Sequence, residues 1–204
     1  MKLIRIVVLI GAAISLVVSL LWSLLTRMPG ASRVRARKLL ADAEWLGADS
    51  KDGALVKLTG IVRARSAEDR LMAPLSNTRC VALRLRAQAR RGIDPRAQYA
   101  EKIEYKPFEL EDADGRVEID PTEVLFDVAP LQKGKPDEGV RARILADLGH
   151  ASAQAAKSNV EETVVEVGAT VTLAGTLATV DGKHRLTGPV ACAPQRDVDL
   201  SKEP

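Results

Sequence analysis

Few side chains in this 204-residue sequence are suited to catalysis or to binding a transition metal. The candidates are two cysteines and two histidines, Cys80, His150, His184 and Cys192. A structural zinc site needs four such ligands and a catalytic one three, usually at short spacing. No two of the four residues are neighbours in the sequence. We therefore predict no metal, no cofactor and no catalytic residue, and we favour a protein that is not an enzyme.

A cysteine nucleophile with a histidine base is the main catalytic alternative. Cys80 and His184 could form such a pair, because the two partners need not be close in sequence. However, Cys80 leads directly into an alternating strand over residues 81–88, and free cysteine is among the most often buried residue types. The sequence also lacks a glycine-rich phosphate loop, a G-x-S-x-G turn and an HExxH helix. We expect Cys80 to begin a buried strand.

An acidic stretch in the middle of the chain invites a calcium hypothesis. Its acids are Glu109, Glu111, Asp112, Asp114, Glu118 and Asp120. Aligned to an EF-hand loop with Gly115 sixth, the first and last positions become Leu110 and Pro121, which are not ligands. The pattern instead predicts a hairpin with a turn over residues 112–115, in which Phe108 and Ile119 point inward.

Two arginines alternate with apolar residues on the strand after Cys80. We predict that Arg84 and Arg86 face outward and pair across strands with Glu109 and Glu111, since opposite charges stabilise neighbouring strands. The alternative is a pair of arginines that binds a ligand.

Two strands share the pattern V-x-L-x-G-x-[VL]. Val56, Leu58 and Gly60 occur in the first, and Val171, Leu173 and Gly175 in the second, as the sequences LVKLTGIVRAR and VTLAGTL show. Glycine inside a strand is typical of a sharp bend or of a close approach by another backbone. The domain is therefore predicted to be a small coiled sheet or an OB-like barrel.

A second hairpin and one helix complete the predicted β-rich α+β domain. Asp181 and Gly182 form a two-residue turn that places Leu177 opposite Leu186. Residues 137–159 carry an apolar stripe at helical spacing, with Asp137 as the N-cap. Residues 92–100 and 131–136 are predicted to be exposed loops.

The N-terminal region predicts a single transmembrane helix. Residues 6–25 contain no charge, and 20 residues at 1.5 Å each span about 30 Å of hydrocarbon. A signal peptide is the alternative, but its apolar region is usually shorter. Small residues recur every fourth position and could allow a homodimer of such helices: Gly11, Ser15, Ser19 and Ser23.

Charge is distributed unevenly along the chain. Seven of the 30 basic residues lie within residues 1–41, which contain no acid, and the remainder has 23 bases against 27 acids. This mild acidity, with only 3% aromatic residues, disfavours a nucleic-acid partner. The bases after the apolar run place the domain in the cytoplasm by the positive-inside rule. Residues 28–53 are predicted to be a helical stalk lying against anionic lipid headgroups, with Val34, Leu39 and Leu46 on its apolar side and Trp45 at the interface.

Several segments together resemble one known domain. The sequences VKLTGIVRA, LMAPLSNTRCVALRL, PFELEDADGRVEID and VGATVTLAGTLATVDGKHRLTG occur in the order found in the GIDE domain, also called the BAM or "beside a membrane" domain, of Mulan-type membrane-anchored E3 ubiquitin ligases and their bacterial relatives. The matching positions are Gly60, Pro74, Ser76, Cys80, Phe108, Asp112, Gly115, Asp120, Pro121, Gly175 and Gly182.

This resemblance implies a β-rich domain that rests beside a membrane. The ligases transfer ubiquitin through a RING finger with eight zinc-binding cysteines and histidines, whereas this sequence has two of each. We therefore expect a non-catalytic interaction or scaffold module, with ubiquitin transfer and an oligonucleotide- or small-ligand-binding barrel as alternatives. The organellar ligases hold the domain between two membranes, so the periplasmic side is the alternative location.

The expected organisation has four parts. Residues 1–27 form the transmembrane anchor and residues 28–53 the basic stalk. Residues 54–191 form the GIDE-like domain, followed by a tail over residues 192–204. The expected partners are the lipid bilayer and membrane or membrane-proximal proteins.

Overall fold

The computed structural model describes residues 31–88, 99–128, 131–134, 137–148 and 159–194. These residues form two helices and eleven strands, which confirms a β-rich fold. The helices are α1 (Ala31–Asp42) and α2 (Glu138–Asp147). The strands are β1 (Glu44–Trp45), β2 (Leu55–Ala64), β3 (Leu71–Met72), β4 (Arg79–Gln88), β5 (Tyr99–Tyr105), β6 (Phe108–Glu111), β7 (Arg116–Phe126), β8 (Gln132–Gly134), β9 (Asn159–Glu166), β10 (Thr170–Val180) and β11 (Lys183–Pro194).

Five strands close into a barrel. They follow one another in the order β2, β10, β11, β7 and β6, and β6 pairs back onto β2. The β7–β11 pair is parallel and the other four pairs are antiparallel. The interior is filled by alternating inward residues, of which Phe108, Leu110, Ile119, Leu173 and Leu186 are almost completely buried. Closure leaves these five strands without a long unpaired edge.

The two strands that share a sequence pattern pair with each other. Val56 lies opposite Gly175, Leu58 opposite Leu173, and Gly60 opposite Val171. A Cβ atom on Gly60 would lie 2.6 Å from the carbonyl oxygen of Glu111, so only glycine allows β6 to approach so closely. Gly175 lies where the register between β10 and β11 shifts. Each glycine thus permits curvature that the barrel needs.

Both predicted hairpins are confirmed. Phe108 lies opposite Ile119 in the β6–β7 pair. In the β10–β11 pair, Leu177 lies opposite Leu186. Asp181 and Gly182 have φ values of 52° and 74°, the left-handed backbone that a two-residue hairpin turn requires.

A second sheet is built from the two segments inserted between barrel strands. Its order is β3, β4, β9 and β8, with β5 also paired to β4. Ala82 and Val165 belong to the same apolar cluster as the barrel interior, whereas Leu83 and Leu85 pack with Ile144 of α2. The sheet therefore lies between the barrel and α2, and apolar residues pack on both of its faces.

The helix α2 begins as predicted, but the loop before it was predicted wrongly in part. The carboxylate of Asp137 accepts the N–H of Val140 at 2.9 Å, which confirms it as the N-cap. Residues 132–134, predicted to be loop, form β8 and pair with β9. Backbone pairing places this segment in the sheet although its sequence, Gln-Lys-Gly, has low strand propensity.

The basic stalk is helical over Ala31–Asp42, but its buried side differs from the prediction. Ala36 is fully buried and Leu39 and Leu40 are partly so, against Leu125, Ala174 and Ala191 of the barrel, whereas Val34 is 68% exposed. The small side chain of Ala36 lets the helix approach the strands. The predicted span over residues 6–25 and its small residues lie outside the described residues. Neither helix of the described part combines the length and apolarity that crossing a bilayer requires.

Candidate functional site

The segment from Leu71 to Cys80 forms a compact corner between β3 and β4. Ala73 donates its N–H to the carbonyl of Thr78 at 2.9 Å, and Asn77 donates to the carbonyl of Ala73 at 2.9 Å. Asn77 adopts φ 55°, which asparagine tolerates better than most residues. Pro74 lies in the turn between them and is exposed. The hydrogen bonds of this segment are those of a turn.

A buried carboxylate under this turn was missed by the sequence analysis. Glu162 on β9 is 0% exposed, and its two oxygens accept the N–H groups of Leu75 at 2.7 Å and Ser76 at 3.0 Å. The hydroxyl of Ser76 is buried without a hydrogen-bond partner among the described residues. A signal existed in the sequence, because Glu162 occupies an inward position between Val160 and Val164.

Cys80 is buried and protonated at neutral pH. Its thiol donates to the carbonyl of Leu71 at 3.7 Å. Burial, followed by the negative charges of Glu162, Glu166 and Glu104, raises its pKa to about 12. The thiolate needed for nucleophilic attack is therefore scarce at this position.

The structure does not bring Cys80 and His184 together. Cys80 packs with Ala73, Leu83 and Ile144 in the inserted sheet, whereas His184 is exposed near the tip of the β10–β11 hairpin. Cys192 lies in the barrel interior, where burial raises its pKa to about 12, and neither cysteine is in a disulfide. His150 lies outside the described residues.

The predicted pairing of Arg84 and Arg86 with the acidic hairpin is wrong. Both arginines are on β4 of the inserted sheet, whose neighbours are β5 and β9, whereas Glu109 and Glu111 are on the barrel strand β6. Arg86 donates to Glu101 at 2.9 Å. Glu111 instead contacts Arg63 at 2.6 Å and Arg116 at 3.1 Å.

Arg84 is only 7% exposed, so it also does not face outward as predicted. It donates to the hydroxyl of Thr163 at 3.1 Å, and its guanidinium lies 5.1 Å from the ring centroid of Phe126. Burial, reinforced by the charge of Arg86, lowers its pKa, while Glu101 acts in the opposite direction. Its contacts join the inserted sheet to the barrel, and little of its side chain is accessible to a ligand.

The acidic hairpin turn is satisfied by its own backbone. One oxygen of Asp112 accepts the N–H groups of Asp114 and Gly115, each at 2.9 Å, and the N–H of Asp112 donates to the carbonyl of Gly115. In the part of the chain that the structure describes, no three histidines, cysteines or acids are close enough together to hold a metal ion.

A candidate binding site is a groove of about 670 Å³ on the side of the barrel. We call it the Trp45 groove. Its walls are residues 45–48 at the end of β1 and beyond it, residues 57–59 of β2, the β6–β7 turn with the start of β7, and residues 182–184 of the β10–β11 hairpin. Trp45 is 63% exposed and contributes a large apolar surface. Lys57 lies over its ring at 5.2 Å and donates to the carbonyl of Leu40 at 3.3 Å.

Three cations, Lys57, Arg116 and Lys183, and two carboxylates, Asp112 and Asp114, line the Trp45 groove. Arg116 is paired with Glu109 and Glu111, so among the described residues Lys57 and Lys183 are the lining cations without an ion pair. Of the predicted motif residues, the groove contains Asp112, Gly115 and Gly182.

A second cavity, of about 160 Å³, lies between the barrel and the inserted sheet. It is lined mainly by apolar side chains, including Val128, Val164, Val171 and Cys192. Its small volume is below the range of typical ligand pockets. The Trp45 groove is therefore the stronger candidate.

The remaining motif residues support the barrel. Phe108 is 2% exposed in the core, and Pro121 is buried in β7 opposite Gly188. Asp120 lies 3.7 Å from Arg185 on β11. No protein-family model, no curated protein and no solved structure matches this chain.

Proposed function

We propose that this chain is a membrane-tethered, non-catalytic interaction module that holds a partner in the Trp45 groove at the membrane surface. The groove itself supports the proposal best. It combines an exposed tryptophan with Lys57 and Lys183 on the closed barrel, and tryptophan is enriched at protein-binding surfaces. The two cysteines, by contrast, are buried with raised pKa values.

The tether is supported by the apolar run and by the attachment of α1. Arg33 and Arg37 donate to Asp127 at 2.8 and 3.0 Å, and Arg35 donates to Glu123 at 2.8 Å. These arginines, expected at lipid headgroups, thus hold α1 on the barrel while remaining about half exposed. Because α1 begins only six residues after the apolar run 6–25, the barrel would be kept close to the bilayer.

The tether is tested by fractionating cells that express the full chain. We expect the protein to remain in membranes after an alkaline carbonate wash, and a form without residues 1–27 to be released. Protection of the domain from added protease in intact cells and in spheroplasts then decides between the cytoplasmic side, which we propose, and the periplasmic side. Release of the full chain by carbonate would refute the tether.

The groove is tested by photo-crosslinking from defined positions in native membranes. A photoreactive residue at Trp45 should give discrete crosslinks to a membrane-associated protein. The matched control is Met72, another exposed apolar residue, which lies on β3 away from the groove. The same crosslinks from both positions, or none from Trp45, would refute a partner in this groove.

A second candidate is a barrel that binds a small ligand or an oligonucleotide. The strand order of the barrel favours it, because numbering the five barrel strands along the chain gives 1-2-3-5-4 with a parallel 3–5 pair, an OB-like arrangement. Nucleic-acid binding by such barrels uses several aromatic platforms, whereas the groove is lined by one tryptophan. Ubiquitin transfer is supported only by the resemblance of the motifs.

A further inference from the structure

The Trp45 groove contains a short open edge of barrel strand β2. On this side of β2, β1 pairs with Val56 and Lys57, and β6 pairs from Ile61 onward. Residues 58–60 therefore have no strand partner here among the described residues. The gap lies between the end of β1 and the β6–β7 turn, and Leu58 and Thr59 line the groove.

The alternating direction of the backbone hydrogen bonds along β2 shows which groups face this gap. Val62 donates to the carbonyl of Ala169 and accepts the N–H of Gly168, so residue 62 bonds toward β10. The carbonyl of Lys57 accepts the N–H of Leu46, so residue 57 bonds toward β1. Because bonding direction alternates along an antiparallel strand, the N–H and C=O of Thr59 point into the groove. No described residue provides a backbone partner for either group.

A turn of the chain bounds the gap at each end. The chain turns away from β2 after β1, where Gly47 donates to the hydroxyl of Ser50 and accepts the N–H of Ser50. At the other end, Asp112 closes its own turn with Gly115. The gap therefore has room for about one ligand residue to pair with β2. The groove residues on either side of it would contact the side chains of the neighbouring ligand residues.

The charges around the gap favour an acidic ligand. Within the described residues, Lys57 and Lys183 form no ion pair. Of the two carboxylates, Asp112 is already engaged by two N–H groups of its turn. Lysine charge on the rim of a groove attracts acidic partners and speeds their association.

We propose, on the basis of the proposed function, that the partner enters the Trp45 groove as an extended acidic peptide segment whose backbone pairs with Thr59. One peptide residue would accept the N–H of Thr59 and donate to its C=O, as in strand addition to a sheet edge. Its acidic side chains would approach Lys183 and Lys57, and an apolar one would pack on Trp45.

An extended peptide fits these features better than an oligonucleotide does. A peptide residue offers one donor and one acceptor at the spacing that Thr59 presents, whereas a sugar-phosphate backbone offers mainly acceptors. In addition, Lys57 covers one face of the Trp45 ring, which limits stacking of a base.

The test uses the full chain in phospholipid nanodiscs and blocked synthetic peptides. The probe is an acetylated and amidated hexapeptide of alternating glutamate and valine. The comparison probes are its lysine–valine counterpart, two versions with N-methyl groups on alternate backbone amides in either phase, and an oligothymidylate of equal length. Dissociation constants are measured by titration, and binding at the edge is followed by the chemical shift of the Thr59 amide.

We expect the glutamate–valine peptide to bind at least about fivefold more tightly than the lysine–valine peptide and to shift the Thr59 amide. N-methylation in one phase should weaken binding by about fivefold or more, since one hydrogen bond to Thr59 is lost. Lys183→Glu should weaken binding by a similar factor, whereas Lys106→Glu, an exposed lysine outside the groove, should change it less than about twofold.

Three results would overturn this inference: no binding of the glutamate–valine peptide, equal affinity of both N-methylated versions and the parent, or tighter binding of the oligothymidylate. The outcome is separable from that of the proposed function. If crosslinks from Trp45 persist while the peptide fails, the groove still binds a partner but not as an acidic strand. If the peptide binds as expected but Trp45 gives no crosslinks in membranes, the membrane partner is refuted and the strand-pairing site stands.

Discussion

Glu162 is a buried carboxylate that stabilises a turn far from it in the sequence. It is completely buried, yet each of its oxygens accepts a backbone N–H from the turn above it. Hydrogen bonds from N–H groups to a charged acceptor are stronger than those between neutral groups. The turn from Ala73 to Thr78 therefore depends on a residue 84 or more positions away in the chain, and this turn carries the sequence that most strongly suggested a known domain.

Replacing Glu162 should destabilise the domain without altering its shape. In Glu162→Gln, the amide NH₂ must face one of the two N–H donors of Leu75 and Ser76, so one donor loses its partner. We expect the free energy of unfolding to fall by about 1–3 kcal/mol, measured by urea unfolding of the full chain with circular dichroism. Glu68→Gln, on an exposed loop, serves as the control and should change it by less than about 0.5 kcal/mol. Equal effects would show that the buried pairing is unimportant.

The two thiols should be almost unreactive in the folded protein. Burial raises the pKa of Cys80 and of Cys192 from the usual 9.0 to about 12. At pH 8, alkylation by iodoacetamide should therefore be slow for both and should become fast in urea, as mass spectrometry of the labelled peptides would show. Because the unfolded chain loses these protons at lower pH than the folded chain, stability should fall as pH rises from about 9 toward 12. Rapid labelling of Cys80 at pH 8 without denaturant would contradict its burial.

At the scale of elements, local signals were sufficient for the hairpins and insufficient for their neighbours. Asp181-Gly182 specifies both the turn and the register, because the left-handed turn fixes which residues face each other. No such local rule joins β4 to β5 and β9. The cross-strand partners of Arg84 were therefore predicted wrongly, although the strand itself was predicted correctly.

The candidate site was also predictable in its local turns and not in its long-range contacts. The sequence marked Asp112, Gly115 and Gly182 as turn residues, and all three line the Trp45 groove. The open edge at Thr59 could not be predicted, because it depends on where β1 and β6 stop along β2. The sequence analysis missed Glu162 for a similar reason. Its hydrogen-bond donors reach it only when the turn at residues 73–78 folds over β9.

We expect any side chain at Gly60 to destabilise the pairing of β2 with β6. In Gly60→Ala, the new Cβ would lie 2.6 Å from the carbonyl oxygen of Glu111, which is backbone and cannot rotate away. We expect a loss of about 1–3 kcal/mol in the free energy of unfolding, or more if the barrel opens at this pair. The matched control is Gly47→Ala, where a Cβ meets nothing within 4 Å. Urea unfolding of both variants measures the difference, and a Gly60→Ala protein as stable as Gly47→Ala would refute the close approach.

At the scale of the whole molecule, the described chain is a barrel with an inserted sheet on one side and α1 on another. Two segments far apart in sequence, after β2 and after β7, meet to form the inserted sheet. Periodicity along the chain does not encode such a meeting, so the sequence predicted a single small barrel or sheet. The sequence also did not predict that Ala36 and the arginines of α1 attach this helix to the barrel.

Asp127 should be the main electrostatic link between α1 and the barrel. It is the less exposed partner, with 13% of its side chain accessible, and it accepts bonds from both Arg33 and Arg37. Asp127→Asn removes the charge, and since both arginines are about half exposed, each pair stabilises the contact by only about 0.2–1 kcal/mol. We expect amide exchange in residues 33–42 to become about fivefold faster at pH 7, measured by hydrogen–deuterium exchange with mass spectrometry. Glu123→Gln, which breaks the single pair of the more exposed Glu123 with Arg35, should have the smaller effect.

The pH dependence of this link has a defined sign. Although burial acts to raise the pKa of Asp127, the hydrogen bonds from Arg33 and Arg37 outweigh it, so its pKa lies below the usual 3.8. A lowered pKa in the folded state gives stabilisation that is fully present above the unfolded value and is lost as the pH falls through the folded value. The difference in exchange between the wild-type chain and Asp127→Asn should thus be constant from pH 5 to pH 7 and shrink below about pH 3.8. A difference that disappeared on raising the pH would contradict the ion pairs, and one that was absent throughout would show that Ala36 and its apolar neighbours alone hold α1 on the barrel.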